Sequence, residues 1–273
     1  MAYEMILFDI ADGVATITLN RPRILNAMNT QLREEVCAAL DAAEADDDVA
    51  VMVIKGAGRA FSSGADISGD HNESAWITSE DGMAMNRRYR REFTQMWMDH
   101  IWDNAKPVIA QVHGYCLGMA ADLANACDFI IAADDAQIGF PEGRFGGVLM
   151  ASLPWTIGMR KAKELLITAE NIGAEDAWRL GMINRIVPAD ELDEAVRKFA
   201  QTIVKMPRET AYFAKLEVNR VYEIAGLRSA QSQSYDLNIL AKLTQGATQE
   251  WGRVRREEGM KAALEWRDKP FRE

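Results

Sequence analysis

Short apolar runs separated by glycine and proline turns open the chain. Ile6–Asp9 and Val14–Leu19 flank Ala11-Asp12-Gly13, and Asp-Gly between apolar runs predicts a β-hairpin. Leu32, Val36, Ala39, Leu40 and Ala43 recur at helical spacing, which predicts a helix from about Thr30 to Ala45. Val49–Lys55 is a continuous apolar run, the mark of a strand buried on both faces. Four glycines between Gly56 and Gly69 rule out either regular element there and predict a loop. His71–Glu80 is polar with little periodicity, Asp81–Asp103 reads as a long helix, and Lys106-Pro107 starts a second buried strand, Val108–Val112. Gly114–Gly118 predicts a turn into a small-residue helix, Met119–Ala126, followed by a strand over Asp128–Ala133. Strand, glycine loop and helix in repetition indicate α/β layering.

After about Pro188 the pattern changes. Asp190–Lys205, Arg208–Glu223, Arg228–Thr244 and Gln249–Trp266 all carry helical spacing with no strand between them. We therefore divide the chain into a core at 1–188 and a helical region at 189–273, the latter suited to self-association.

Composition narrows the function classes. A net charge of −10 argues against a nucleic-acid partner, because phosphate binding needs a basic face. Cys37, Cys116 and Cys127 have no CxxC spacing, which argues against a disulfide framework or a zinc site, and the histidines lack metal-ligand spacing. No window reaches the roughly 18 apolar residues of a membrane span, and the acidic N-terminal segment does not resemble a signal peptide. The expectation is a soluble, cytoplasmic protein without a metal.

Two loops carry the candidate chemistry. Gly58–Ile67 (GRAFSSGADI) follows a buried strand, and its glycine-alanine step leaves a main-chain N–H open to close approach. Taken alone, that loop reads rather as a tight surface turn. Ser63 beside a glycine suggests a nucleophile only weakly, since no GxSxG elbow surrounds it. His113–Asp122 also follows a buried strand and opens a helix, whose first N–H groups and dipole suit an anionic oxygen; a plain core helix packed through alanines is the alternative. Asp122 is out of place in an apolar helix and is a candidate functional carboxylate. Glu142, after Phe140-Pro141, would by itself be a surface charge. His113 is better suited to a local hydrogen bond than to a base, His71 and His100 carry no pattern, and Arg87–Arg91 reads as a solvated helix face.

Taken together, the motifs resemble the enoyl-CoA hydratase/isomerase (crotonase) family over nearly the whole chain. They are Asn20-Arg21-Pro22 with Leu25-Asn26-Ala27-Met28, then Gly56–Ile67, Lys106–Asp128, Phe140-Pro141-Glu142 and Ala174–Pro188. The resemblance implies an α/β fold, a crotonase-like ββα spiral core with a helical C-terminal trimerisation region. It implies an acyl-CoA thioester substrate, coenzyme A entering with that substrate and no separate cofactor, and a homotrimer or dimer of trimers. It implies an oxyanion hole from the backbone N–H groups of Ala65 and Met119, with Asp122 and Glu142 as the acidic pair. Coenzyme A contacts would fall on Ala60, Ala65, Asp66, Ile67 and Ser68, with a basic residue near Arg23.

Three departures stand out. The glycine cluster of the second loop is Gly118-Met119-Ala120, so a side chain enters the pocket. The family's glutamate is Asp122, which retracts the carboxyl by about 1.5 Å, one carbon–carbon bond. Leu149-Met150 replaces a Pro-Gly turn and makes the pocket floor bulkier. The leading expectation is syn hydration of a 2-enoyl-CoA, Asp122 deprotonating water and a protonated Glu142 supplying the α-proton. The alternatives are double-bond isomerisation by Glu142 alone, thioester hydrolysis or C–C cleavage, and a catalytically silent scaffold.

Overall fold

A computed structural model describes residues 3–67, 96–147, 152–243 and 246–271. Strands β1 (Ile6–Ala11) and β2 (Val14–Leu19) pair antiparallel across Asp12 and Gly13, whose φ values of +51° and +79° are those of a hairpin turn matched to strand twist. Helix α1 spans Thr30–Ala45; the Asn29 side chain accepts the Leu32 N–H at 2.9 Å and caps it. Strand β3 (Val51–Gly56) runs parallel to β2 and starts two residues later than its apolar run. The helix expected over Asp81–Asp103 lies mostly outside the described residues; its end is a π-turn at Met98–Trp102.

Strand β4 (Val108–Val112) is buried at every position and lies parallel to β3. The predicted turn at Gly114–Gly118 contains a short strand instead, β5 (Tyr115–Leu117). Three residues are too few to show a period; the strand exists because Ser62 N–H donates to the Tyr115 carbonyl and Leu117 N–H to that of Ser62. Helix α2 (Met119–Ala126) and strands β6 (Phe129–Ala133) and β7 (Gln137–Gly139) follow, then a 3-10 turn at Pro141–Phe145. Helices α3 (Leu153–Ile157) and α4 (Met159–Thr168), strand β8 (Asn171–Gly173), helix α5 (Ala174–Arg179) and strand β9 (Arg185–Val187) complete the core. The strands form a six-stranded sheet, β1-β2-β3-β4-β6-β9, and a three-stranded sheet, β5-β7-β8.

The larger sheet is covered on both faces, which is why β3 carries no polar alternation. Met52 and Ile54 join the core that contains Leu32, Val36 and Leu40 of α1. Val51 and Val53 meet Leu192, Val196 and Ala200 of α6 (Leu192–Val204) on the other side. Helices α7 (Arg208–Ile224) and α8 (Leu227–Leu243) follow. The single helix expected over Gln249–Trp266 is two, α9 (Ala247–Glu258) and α10 (Met260–Asp268). Gly259 at φ +89° breaks it, a conformation open to glycine but not to the neighbouring side chains. Among the described residues no helix is long and apolar enough to cross a membrane.

One buried cation ties α7 to the core. Lys215 Nζ donates to Asp128 Oδ2 (2.9 Å) and to the Ile101 carbonyl (2.8 Å), with its side chain only 6% exposed. Asp128 Oδ2 also accepts the Val108 N–H at 2.7 Å, where β4 begins. Removing one partner of such a pair strands the other charge in a poorly solvated place. Lys215→Met is therefore expected to cost about 3–5 kcal/mol in urea unfolding; a change under 1 kcal/mol would refute the anchoring role.

Candidate active site

The first loop is held by two buried polar side chains. Asn26, at φ +53°, directs its amide nitrogen at the carbonyls of Ala57, Ala60 and Phe61 at 2.9, 2.9 and 3.1 Å. Ser62 Oγ donates to the Asn26 carbonyl (2.8 Å) and accepts the Gly64 N–H (3.1 Å). These bonds fold the loop back beside β3 and present Gly64 and Ala65. Met28 N–H donates to the Gly64 carbonyl and Asp66 N–H to that of Met28, a parallel bridge around Ala65. In that geometry the flanked residue turns its own N–H to the opposite side, and Ala65 is exposed there.

The second loop interlocks with the first. His113 Nε2 lies 2.9 Å from the Gly58 carbonyl, so its hydrogen bond joins the two loops and is not the local one expected. Gly64, at φ +90°, sits so close that a Cβ on it would lie 2.5 Å from the Leu117 carbonyl oxygen and 3.4 Å from Met119 N. Met119 is the first residue of α2, so its N–H has no acceptor within the helix. Two loops that are 54 positions apart in sequence, at 65 and 119, are thus brought side by side.

The two acids meet over the start of α2. Asp122 lies one turn in, its N–H donating to the Gly118 carbonyl at 3.0 Å, on the same face as Gly118. Glu142 comes from the 3-10 turn after β7, and its Oε1 is 2.3 Å from where a Cβ on Gly118 would stand. A glycine at 118, φ +54°, is what lets the carboxyl approach the positive end of the helix. Burial first, and the Glu142 charge second, push the Asp122 carboxyl up to about 7, although Asp122 keeps part of its surface accessible. Asp122 is thus held close to neutral at physiological pH by its burial and by the neighbouring Glu142 charge.

The remaining expected contacts are distributed around the loops. Ala60 is fully buried with its carbonyl engaged by Asn26. Asp66 pairs with Arg21 at 2.8 Å. Ile67 packs against the cluster of Trp251, Val254 and Ala263 from α9 and α10. Arg23 is exposed on the 3-10 turn Pro22–Ile24. Ser68, His71, Arg87–Arg91, Leu149 and Met150 lie outside the described residues. The serine that holds the loop is Ser62 rather than Ser63: it is fully buried and makes two hydrogen bonds, whereas Ser63 Oγ lies 3.5 Å from the Ile24 carbonyl. Burial pushes the thiols of Cys37, Cys116 and Cys127 up, Cys37 to about 12, which removes them as nucleophiles. Among the described residues no group of three His, Cys, Asp or Glu side chains is placed to hold a metal ion.

Comparison with known proteins gives the family. The enoyl-CoA hydratase/isomerase family model matches residues 9–273. A protein named probable enoyl-CoA hydratase from Mycobacterium tuberculosis is 39% identical over 228 residues, 82% of this chain and 84% of that one. A crotonyl-CoA hydratase from Syntrophomonas wolfei is 34% identical across 99% of both chains. A crystal structure of an enoyl-CoA hydratase/isomerase from Xanthobacter autotrophicus Py2 superposes with a TM-score of 0.91 over 100% of both chains, at 35% identity. The fold is that of the crotonases, and the chain belongs to the enoyl-CoA hydratase/isomerase family of enzymes.

Proposed function

We propose that the protein hydrates 2-enoyl-CoA thioesters, adding water syn across the double bond without a resident cofactor. The observation that carries this reading is the convergence of Glu142 on Gly118, one turn from Asp122 and beside the first N–H of α2. The N–H groups of Ala65 and Met119 bind the thioester oxygen and stabilise the enolate that forms as water attacks the β-carbon. Asp122 orients and deprotonates the water, and Glu142 delivers a proton to the α-carbon. The pair holds one proton near neutrality and titrates as a unit. That proton is shared between the two carboxyls, and Glu142 carries it when the α-carbon is protonated.

One observation favours a second reading. Burial raises the Asp122 carboxyl to about 7, which weakens it as a second base, and a double-bond shift needs only one, Glu142. Turnover in 18O-labelled water separates the two: label in a 3-hydroxyacyl product supports hydration, and migration of the double bond without label supports isomerisation. Coenzyme A would lie along the first loop, with Arg23 near its phosphates and Asp66 and Ile67 along its length, while Ala60, buried with its carbonyl taken by Asn26, would support the loop from beneath. The apolar residues Phe213, Val221 and Ile224 share one exposed face of α7, with Ile224 87% accessible, which supports self-association as a homotrimer or dimer of trimers. The same proposal places the enzyme in the cytoplasm.

The pair's last proton sets a pH limit. Above about 7 Asp122 loses it, both carboxyls are charged, and no acid remains for the α-carbon. kcat/KM is expected to fall with pH through about 7, and Asp122→Asn should abolish or shift that limb. Stability should follow the same group. Its folded pKa lies above the unfolded value of about 4, so the native state holds more protons between the two and loses stability as pH rises through that window, by roughly 4 kcal/mol in full. A flat kcat/KM profile from about pH 6 to about pH 8 would remove the shared-proton mechanism.

A further inference from the structure

The turn that carries Glu142 is held from behind by a cation that the proposed chemistry does not use. Arg144 lies two residues beyond Glu142, with its side chain 19% exposed. Its Nη2 donates to the Ala169 carbonyl at 2.7 Å, just past α4, where the carbonyl end of the helix favours positive charge. Its Nη1 lies 3.3 Å from Asp268 Oδ1 at the end of α10, and its guanidinium carbon lies 4.6 Å from the centre of the Phe271 ring. Arg267 grips the same Asp268 carboxylate through Nε (2.8 Å) and Nη2 (2.9 Å). Gly143 leaves no slack between them, since a Cβ there would lie 3.1 Å from the Leu166 carbonyl oxygen. Helices α9 and α10 both pack against this turn.

A five-residue 3-10 turn is intrinsically weak, while a catalytic carboxyl must be placed within about 0.5 Å. We propose that Arg144 is a positioning residue: it clamps the Glu142 turn to the carbonyl end of α4 and to Asp268 and Phe271, so that proton transfer at the α-carbon depends on the last helix of the chain. The proposal rests on the Glu142 proton-transfer role given above, not on water addition. Its planar fork bonds two segments and also stacks on a ring of the second, which a lysine point charge cannot do.

Exchange of the α-hydrogens of butanoyl-CoA in deuterium oxide reads Glu142 proton transfer without requiring hydration. Arg144→Met should slow exchange about 10- to 100-fold with the dissociation constant for butanoyl-CoA near the wild-type value, and Arg144→Lys should recover only part. Asp268→Asn and Phe271→Leu, each removing one partner, should fall between, and they carry the test should Arg144→Met not fold. Wild-type exchange rates in the folded variants, or loss of binding in parallel with exchange, overturn the clamp alone. Absence of exchange in the wild-type enzyme overturns the Glu142 role and the clamp together. Exchange in a wild-type enzyme that does not hydrate sinks only the hydratase reading.

Discussion

Glu142→Gln is expected to lower turnover of a 2-enoyl-CoA by about 100- to 10,000-fold, the range contributed by a positioned acid or base. Glutamine keeps the size of the side chain and its packing against Gly118, but it cannot take up or release a proton. Binding of a saturated acyl-CoA should therefore be nearly unchanged, because the N–H groups and the coenzyme A contacts remain. The substitution also removes the like charge that helps raise Asp122, so the proton on Asp122 should leave at lower pH. Calorimetric binding and steady-state kinetics on the same preparation check both statements. Loss of affinity as large as the loss of rate would show that Glu142 holds the site together and transfers nothing.

Gly64→Ala should be the second large effect, with a different signature. At φ +90° any side chain is strained, by about 1–3 kcal/mol. Here the added methyl would also face the Leu117 carbonyl oxygen at 2.5 Å, and a main-chain wall cannot rotate away as a side chain can. The two loops must part, separating the N–H groups of Ala65 and Met119. Loss of one such donor in other enzymes costs about 100- to 1,000-fold, and a drop of that order is expected in kcat/KM together with a lower melting temperature. The absorbance of a bound conjugated enoyl thioester gives an independent readout, since a polarised carbonyl shifts it to longer wavelength. A folded Gly64→Ala enzyme with full activity and an unchanged shift would remove the oxyanion role from this loop.

Much of the frame was legible because it obeys local rules. Asp12-Gly13 between apolar runs made the hairpin readable, and Val51–Ile54 showed no alternation because both of its faces are covered. The helix at Met119–Ala126 and its lone carboxylate were visible for the same reason. The misses share a different cause. Strand β5 is three residues long and exists only through its partners Ser62 and β7. The break at Gly259 sits in a pattern that either one helix or two would satisfy. Asn26 carried a motif but no visible task until its amide met three carbonyls of a loop more than thirty residues away.

The amino-acid sequence by itself determined the alternation of buried strands, glycine loops and helices, and the family, whose resemblance in turn pointed to Asp122 and Glu142. Periodicity, turn chemistry and motif order are properties of neighbouring residues and survive without coordinates. The tertiary structure decided which main-chain atoms meet, that Glu142 reaches the start of α2, that burial raises the Asp122 carboxyl, and that Arg144 links the Glu142 turn to the end of α10. Desolvation and Coulomb interaction depend on distances between segments remote in sequence, and those distances do not exist until the chain has folded.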